Sequence, residues 1–163
     1  MSTQYHTIKE AIYYYYAKFV IARRACETNK NLDFWKTTTY NYHKLLNGQI
    51  KWSSLERELE TQLRNSKHVC VYCGKEADAL DHVIPLAKGG QDIGQNKVFV
   101  CKQCNSSKND NDLILWWLSN YENCNDISRL AIGIYLKQAY EWHRQHNTLN
   151  NPAKHIRDIA FVK

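Results

Sequence analysis

Two cysteine pairs constrain this chain more than any other feature. Cys70 and Cys73 stand in 70-CVYCG-74, Cys101 and Cys104 stand in 101-CKQCN-105, and 27 residues separate the pairs. Two thiolates with two residues between them can hold one side of a tetrahedral ion through a tight turn. Two such turns complete a four-cysteine zinc site with Zn–S bonds of about 2.3 Å. A redox pair and chance spacing are the competing readings. The remaining cysteines, Cys26 and Cys124, have no such neighbours and read as small apolar side chains in helices.

A closed four-thiolate site keeps no open position and does no chemistry by itself. It pins two turns together and so fixes what lies between and just after them. Between them lies 79-ALDHVIPLAKGG-90, a mostly apolar run with an acid and a histidine, Asp81 and His82, at its middle. Neighbours on a strand point to opposite faces, so this pair cannot share one flat face. Just after the second turn comes Asn105. The zinc turns therefore bring Asp81, His82 and Asn105 toward one place.

The segment from about Val69 to Asp112, a quarter of the chain, resembles the HNH endonuclease family in its zinc-bearing form. The resemblance rests on Cys70-x2-Cys73, Asp81-His82-Val-Ile-Pro, Gly89-Gly90, Asn96 five residues before Cys101, Cys101-x2-Cys104-Asn105, and Lys108. It implies a ββα-metal core: a strand bearing Asp81 and His82, a loop, a second strand through Val98 to Val100, and a helix beginning near Cys101 to Cys104. It also implies that Asp81 and Asn105 bind a catalytic divalent ion, usually Mg²⁺, that His82 is the general base, and that Asn96 holds the loop orienting it. Lys108 reads as a phosphate contact or as a solvated lysine, and Asp92 as an aid to loop position.

Elementary chemistry agrees with these roles. A neutral imidazole with a pKa near 6.5 accepts a proton from water at physiological pH more readily than a carboxylate does. A hard cation prefers oxygen ligands, and one carboxylate with one amide leaves most of its octahedron for water and phosphate.

Composition sets the limits. The 163 residues suffice for one domain, or for one domain plus an appendage, and 44% hydrophobic content with five Trp argues against disorder. A formal charge of +6 suits a polyanionic partner, double-stranded DNA on this reading. No signal peptide is evident, and no stretch is apolar over the roughly 20 residues that span a bilayer. The chain reads as intracellular and cytoplasmic, in a prokaryotic or phage-like context, with no membrane partner.

The flanks read as helical. Ile8, Ala11, Ile12, Tyr15, Phe19, Ala22 and Cys26 recur at three and four. Tyr13 to Tyr16 read as core or subunit contact, with base or phosphate contact as the lesser alternative. A second helix is expected from Asp33 to Leu46, ended by Asn47-Gly48. Ser53 and Glu56 form a capping box for a third with Leu55, Leu59 and Leu63. Two more are expected, from Asp112 to Asn120 and from Asp126 to His146. His143 and His146 share a face at a metal-binding spacing but read as solvent-exposed. The basic tail from Asn147 reads as loosely ordered or lying on nucleic acid.

The expected architecture is α+β, a small zinc-stapled ββα-metal nuclease core between mainly helical flanks. Its parts are a helical region for DNA contact or dimerisation (1–66), the core (67–112) and a helical region with a basic tail (113–163). The expected activity is Mg²⁺-assisted hydrolysis of DNA, which the resemblance suggests leaves a 5′-phosphate and a 3′-hydroxyl. A restriction, phage or mobile-element, or structure-selective nuclease fits equally. A homodimer would suit a palindromic target and a monomer nicking. The alternative is a catalytically inactive zinc-dependent DNA-binding module.

Overall fold

The computed structural model describes residues 5–52, 55, 60–61, 64, 67–121 and 127–160. It is mixed α and β, with helices, a two-stranded antiparallel sheet and a four-cysteine cluster. The chain divides into two compact units, one of Met1–Ser53 with Leu136–Ile159 and one of Ser54–Tyr135 with Ala160–Lys163.

The helical unit begins with α1 (Ile8–Tyr16), widens to a π-helix over Ala17–Ala22 and closes with α2 (Arg23–Thr28). Ile8, Ile12 and Tyr16 recur every four residues and are buried, followed by Phe19 and Val20. Tyr16, rather than the expected Tyr15, is the fully buried member of the tyrosine run. Tyr15 instead stacks on Phe19 and shares a 2.8 Å hydrogen bond with Tyr5. Tyr13 and Tyr16 pack on Trp52. The core reading of this run therefore holds for Tyr16, and Tyr13 also packs within the unit.

A second helix, α3 (Phe34–Leu46), starts where the Asp33 carboxylate accepts from the Lys36 amide at 2.7 Å, and it buries Thr38, Tyr42 and Leu45. Cys26 lies in α2, as expected. The capping box at Ser53 and Glu56, Leu59, Leu63 and Cys124 fall outside the described residues, whereas Leu55 is buried.

The tail is docked, contrary to the loose order expected of it. The first N–H groups of a helix lack intrahelical partners. Here the Ile8 and Lys9 amides donate to the Asn151 and Leu149 carbonyls at 3.0 and 2.9 Å, and Ala153 N donates to His6 O at 2.9 Å. The tail thus caps α1 while burying Ala153, Ile156 and Ile159. His143 is likewise buried, against the exposure expected of it. One ring nitrogen lies 2.7 Å from Thr148 Oγ1, and the other meets Ile159 O at 3.1 Å.

In the second unit β1 (Ala79–His82) pairs antiparallel with β2 (Lys97–Val100), in the register Ala79 with Val100, Leu80 with Phe99, Asp81 with Val98 and His82 with Lys97. The helix α4 (Lys102–Lys108) follows β2, and α5 (Leu113–Asn120) follows α4. Asp112 caps α5 through the Ile114 and Leu115 amides, while its other oxygen accepts from the Tyr135 hydroxyl at 2.6 Å. The sheet's inner face, with Val98 and Val100, shares the apolar interior with Val83, Ile84, Leu113 and Trp117. The unit boundary falls within α6 (Arg129–Gln145), after Tyr135.

Candidate active site

The cysteines form a knuckle at each end of the module. The first turns tightly, with Cys70 N bonded to Lys75 O and Gly74 N to Cys70 O. Gly74 takes φ +75°, a left-handed conformation that favours glycine. The second is the start of α4, where Cys101 Sγ accepts from the Cys104 amide. All four sulfurs lie within 4.8 Å of one another, and Cys73 Sγ is 3.7 Å from Cys101 Sγ. Zn–S bonds of 2.3 Å in a tetrahedron put sulfurs about 3.8 Å apart, so the donor set fits zinc. The Cys104 amide holds the Cys101 thiol down at about 7, whereas burial raises the Cys104 thiol.

The residue inside the first knuckle reaches the centre of the module. Val71 N donates to Phe99 O of β2, which ties the knuckle to the sheet. Tyr72 is buried and its hydroxyl donates to Asp81 Oδ2 at 2.7 Å. Burial first, then the Asp81 charge, pushes the Tyr72 hydroxyl well above its usual range, so it stays protonated and donates. The same Asp81 oxygen takes the Lys108 ammonium at 2.9 Å, and Lys108 Nζ also donates to His82 O at 2.8 Å.

Lys108 is therefore not the solvated or phosphate-touching lysine of the sequence reading. At 0% exposure it is among the most buried side chains of the chain. Its position is a consequence of helical spacing: Cys104 and Lys108 lie four apart on the buried side of α4, the first at the cysteine cluster and the second under β1. Asp81 Oδ1 makes no hydrogen bond, and no buried side-chain oxygen among the described residues lacks a partner, so this oxygen reaches solvent.

His82 faces the other side of the sheet. Its Nε2 lies 2.9 Å from Asp92 Oδ1, and the same carboxylate oxygen takes Lys97 Nζ at 2.6 Å. The register explains the triad, because Lys97 is the cross-strand partner of His82. Hydrogen bonding from Lys97, and then from His82, holds the Asp92 carboxyl below the usual range. An ionised carboxylate only accepts, so His82 carries its proton on Nε2, and a neutral ring presents its lone pair at Nδ1.

Asn96 is wholly buried between the strands. Its Oδ1 accepts from Ile84 N, and its Nδ2 donates to Ile84 O and Gln91 O, all at 2.9–3.0 Å. One side chain thus closes the loop carrying Asp92. Gly90 sits where any Cβ would run into the Ile84 carbonyl, which accounts for the second glycine of the Gly89-Gly90 pair. Asn105, in the middle of α4, is half-buried and its side chain makes no hydrogen bond among the described residues.

Residues 70–112 match the family model described as HNH endonuclease. This HNH module is the four-cysteine segment just described, and it covers about a quarter of the chain. No curated protein and no solved structure matches the chain. Sequence reasoning missed Tyr72 and Lys97 and left Asp92 marginal. Tyr72 lies hidden inside the metal motif, and the other two are recognisable only once the strand register is known. Among the described residues, no helix is long and apolar enough to cross a membrane.

Proposed function

We propose that the HNH module hydrolyses phosphodiester bonds of double-stranded DNA, with His82 as general base. The observation that carries this reading is the His82, Asp92 and Lys97 arrangement, in which a pinned carboxylate holds the imidazole and turns its accepting nitrogen outward. Water attacks phosphorus as His82 Nδ1 takes its proton. The P–O3′ bond breaks, and the leaving 3′ oxygen gains a proton from solvent, which leaves a 5′-phosphate and a 3′-hydroxyl.

The chemistry of the donor set fits a divalent ion. Asp81 would offer its solvent-reaching Oδ1, and Asn105 its uncommitted amide oxygen. Such an ion, when bound, supplies charge stabilisation to the phosphate and the leaving oxygen. Asp81 Oδ2 keeps its Tyr72 and Lys108 partners, which orient the carboxylate. Asp92 and Asn96 act through His82 and the loop, and are positioning residues. Zinc at the four cysteines is structural.

The test is incubation of supercoiled plasmid with Mg²⁺ and either the wild type or His82→Ala, with zinc content measured for both. Loss of a general base lowers the rate by about 10²–10⁴-fold, with zinc retained. A variant that cuts as fast as the wild type would remove His82 from its role. The Lys108–Asp81 ion pair favours a second reading, in which Asp81 is purely structural and the module only binds DNA. Failure of the wild type to cut either modified or unmodified DNA would select it.

A further inference from the structure

The two units differ sharply in charge. The helical unit holds twelve Lys and Arg against five Asp and Glu, and the zinc-bearing unit ten against eleven, so the helical unit carries +7 and the other −1. The chain's whole positive excess therefore belongs to the helical unit.

Four of the five acids of the helical unit are also engaged locally. Glu10 accepts from His6 N, Asp33 caps α3, Glu141 pairs with Arg144, and Asp158 accepts from Lys154 N and His155 N. No acid occurs from Phe34 to Trp52, a stretch that contains all of α3.

The solvent side of α3 is unusual for a surface helix. Trp35 and Tyr40 are each 59% exposed, and Lys36 is exposed beside them. Lone exposed aromatics need no explanation. Here, however, each ring carries a lysine, with the Lys44 ammonium 4.4 Å from the Tyr40 centroid and that of Lys18 5.2 Å from the Trp35 centroid. Arg23 lies over Phe19, which Lys18 also covers. Lys36, Tyr40 and Lys44 stand four apart and form one line along the helix. The rings hold the cations in place and lower the ordering cost of using them.

We propose that this face of α3, with Lys18 and Arg23 beside it, grips the phosphate backbone of duplex DNA. The proposal rests on the nuclease reading and names the part of the chain that supplies the grip. Duplex phosphates suit the face better than unpaired bases, because one side of each ring is already occupied by a cation and so is not open for stacking.

The experiment uses the full zinc-loaded chain with His82→Ala, so that nothing is cut. Binding of a labelled duplex is measured against salt, with and without Lys36→Gln and Lys44→Gln. The two substitutions should weaken binding at least about tenfold and lower the slope of log affinity against log salt by about two, one per lysine. Lys36→Arg with Lys44→Arg should restore both, and melting should not change.

Binding and salt slope equal to the His82→Ala parent would overturn the proposal. So would a change in oligomeric state with DNA affinity intact, since the face would then join two copies of the chain. Plasmid cutting by the wild type separates the two ideas. Cutting with an unchanged slope leaves the nuclease reading and removes the grip, whereas a changed slope without cutting does the reverse.

Discussion

The helical unit and the four-cysteine unit are held together by different means. The helical unit packs Ile12, Tyr16, Phe19, Val20, Tyr42 and Leu45 in its core, and among the described residues its buried polar groups are Thr38 and His143. The four-cysteine unit has two four-residue strands, and within or beside them it buries Asp81, Asn96 and Lys108. So small a sheet is hard to stabilise by apolar burial alone. Hydrogen-bonded and ion-paired polar groups add to that burial, and they also fix side-chain directions. The unit that holds His82 and Asp81 relies more on directional polar contacts, and the unit that carries the positive charge relies more on apolar packing.

The largest expected effect comes from the metal. Structural zinc contributes on the order of 10 kcal/mol to the folding of a small module. Cys70→Ser should therefore abolish zinc binding and expose the amides of β1 and β2 to rapid hydrogen exchange. The amides of α1 and α3 should stay protected. Equal loss of protection in α3 would break the comparison, because the two units would then unfold as one.

The buried ion pair comes next. Replacing Lys108 by Met strands the Asp81 charge in a site where neither side chain is more than 8% exposed. Removing one partner of such a pair typically costs about 3–5 kcal/mol, whereas neutralising both is far milder. Urea unfolding should show the loss in Lys108→Met and much of its recovery on adding Asp81→Asn. A Lys108→Met protein as stable as the wild type would mean that the polar network is not what holds this unit.

The smallest effect concerns pH and belongs to the helical unit. Burial, more than any other cause, lowers the His143 pKa from its usual 6.5. The folded value lies below the unfolded one, so the unfolded chain binds the extra proton. The stabilisation is complete above about pH 6.5 and is lost as pH falls below it. The protection factor of the Thr148 amide, which donates to His143 O, taken relative to the intrinsic exchange rate at each pH, should fall on acidification from about pH 7 to about pH 5. His143→Gln, which keeps a neutral hydrogen-bonding group, should remove that dependence. Persistence of the dependence in the variant would assign it to another group.

Much of the fold was legible because short-range rules govern it. The α3 boundaries follow from the Asp33 cap and the Asn47-Gly48 stop, and Asp112 marks the start of α5 in the same way. The cysteine cluster was legible because a two-residue spacing and a tetrahedral ion leave few arrangements. Where the reading failed, the partner was distant in sequence. Lys108 looked like any lysine one turn beyond Asn105, and its burial depends on a strand 26 residues earlier. The tail after Asn147 looked loose because the α1 amides that hold it lie at the opposite end of the chain.

The sequence by itself determined the grouping of Cys70, Cys73, Cys101 and Cys104, the order of Asp81, His82, Asn96 and Asn105, and the helical character of both flanks, since each depends on spacing along a few turns of chain. Only the tertiary structure decided that Tyr72 and Lys108 share one oxygen of Asp81 and that Asp92 joins His82 to Lys97. Those pairings depend on strand register and on which face of α4 is buried. Register and burial are set by how elements pack against one another, which local spacing does not record.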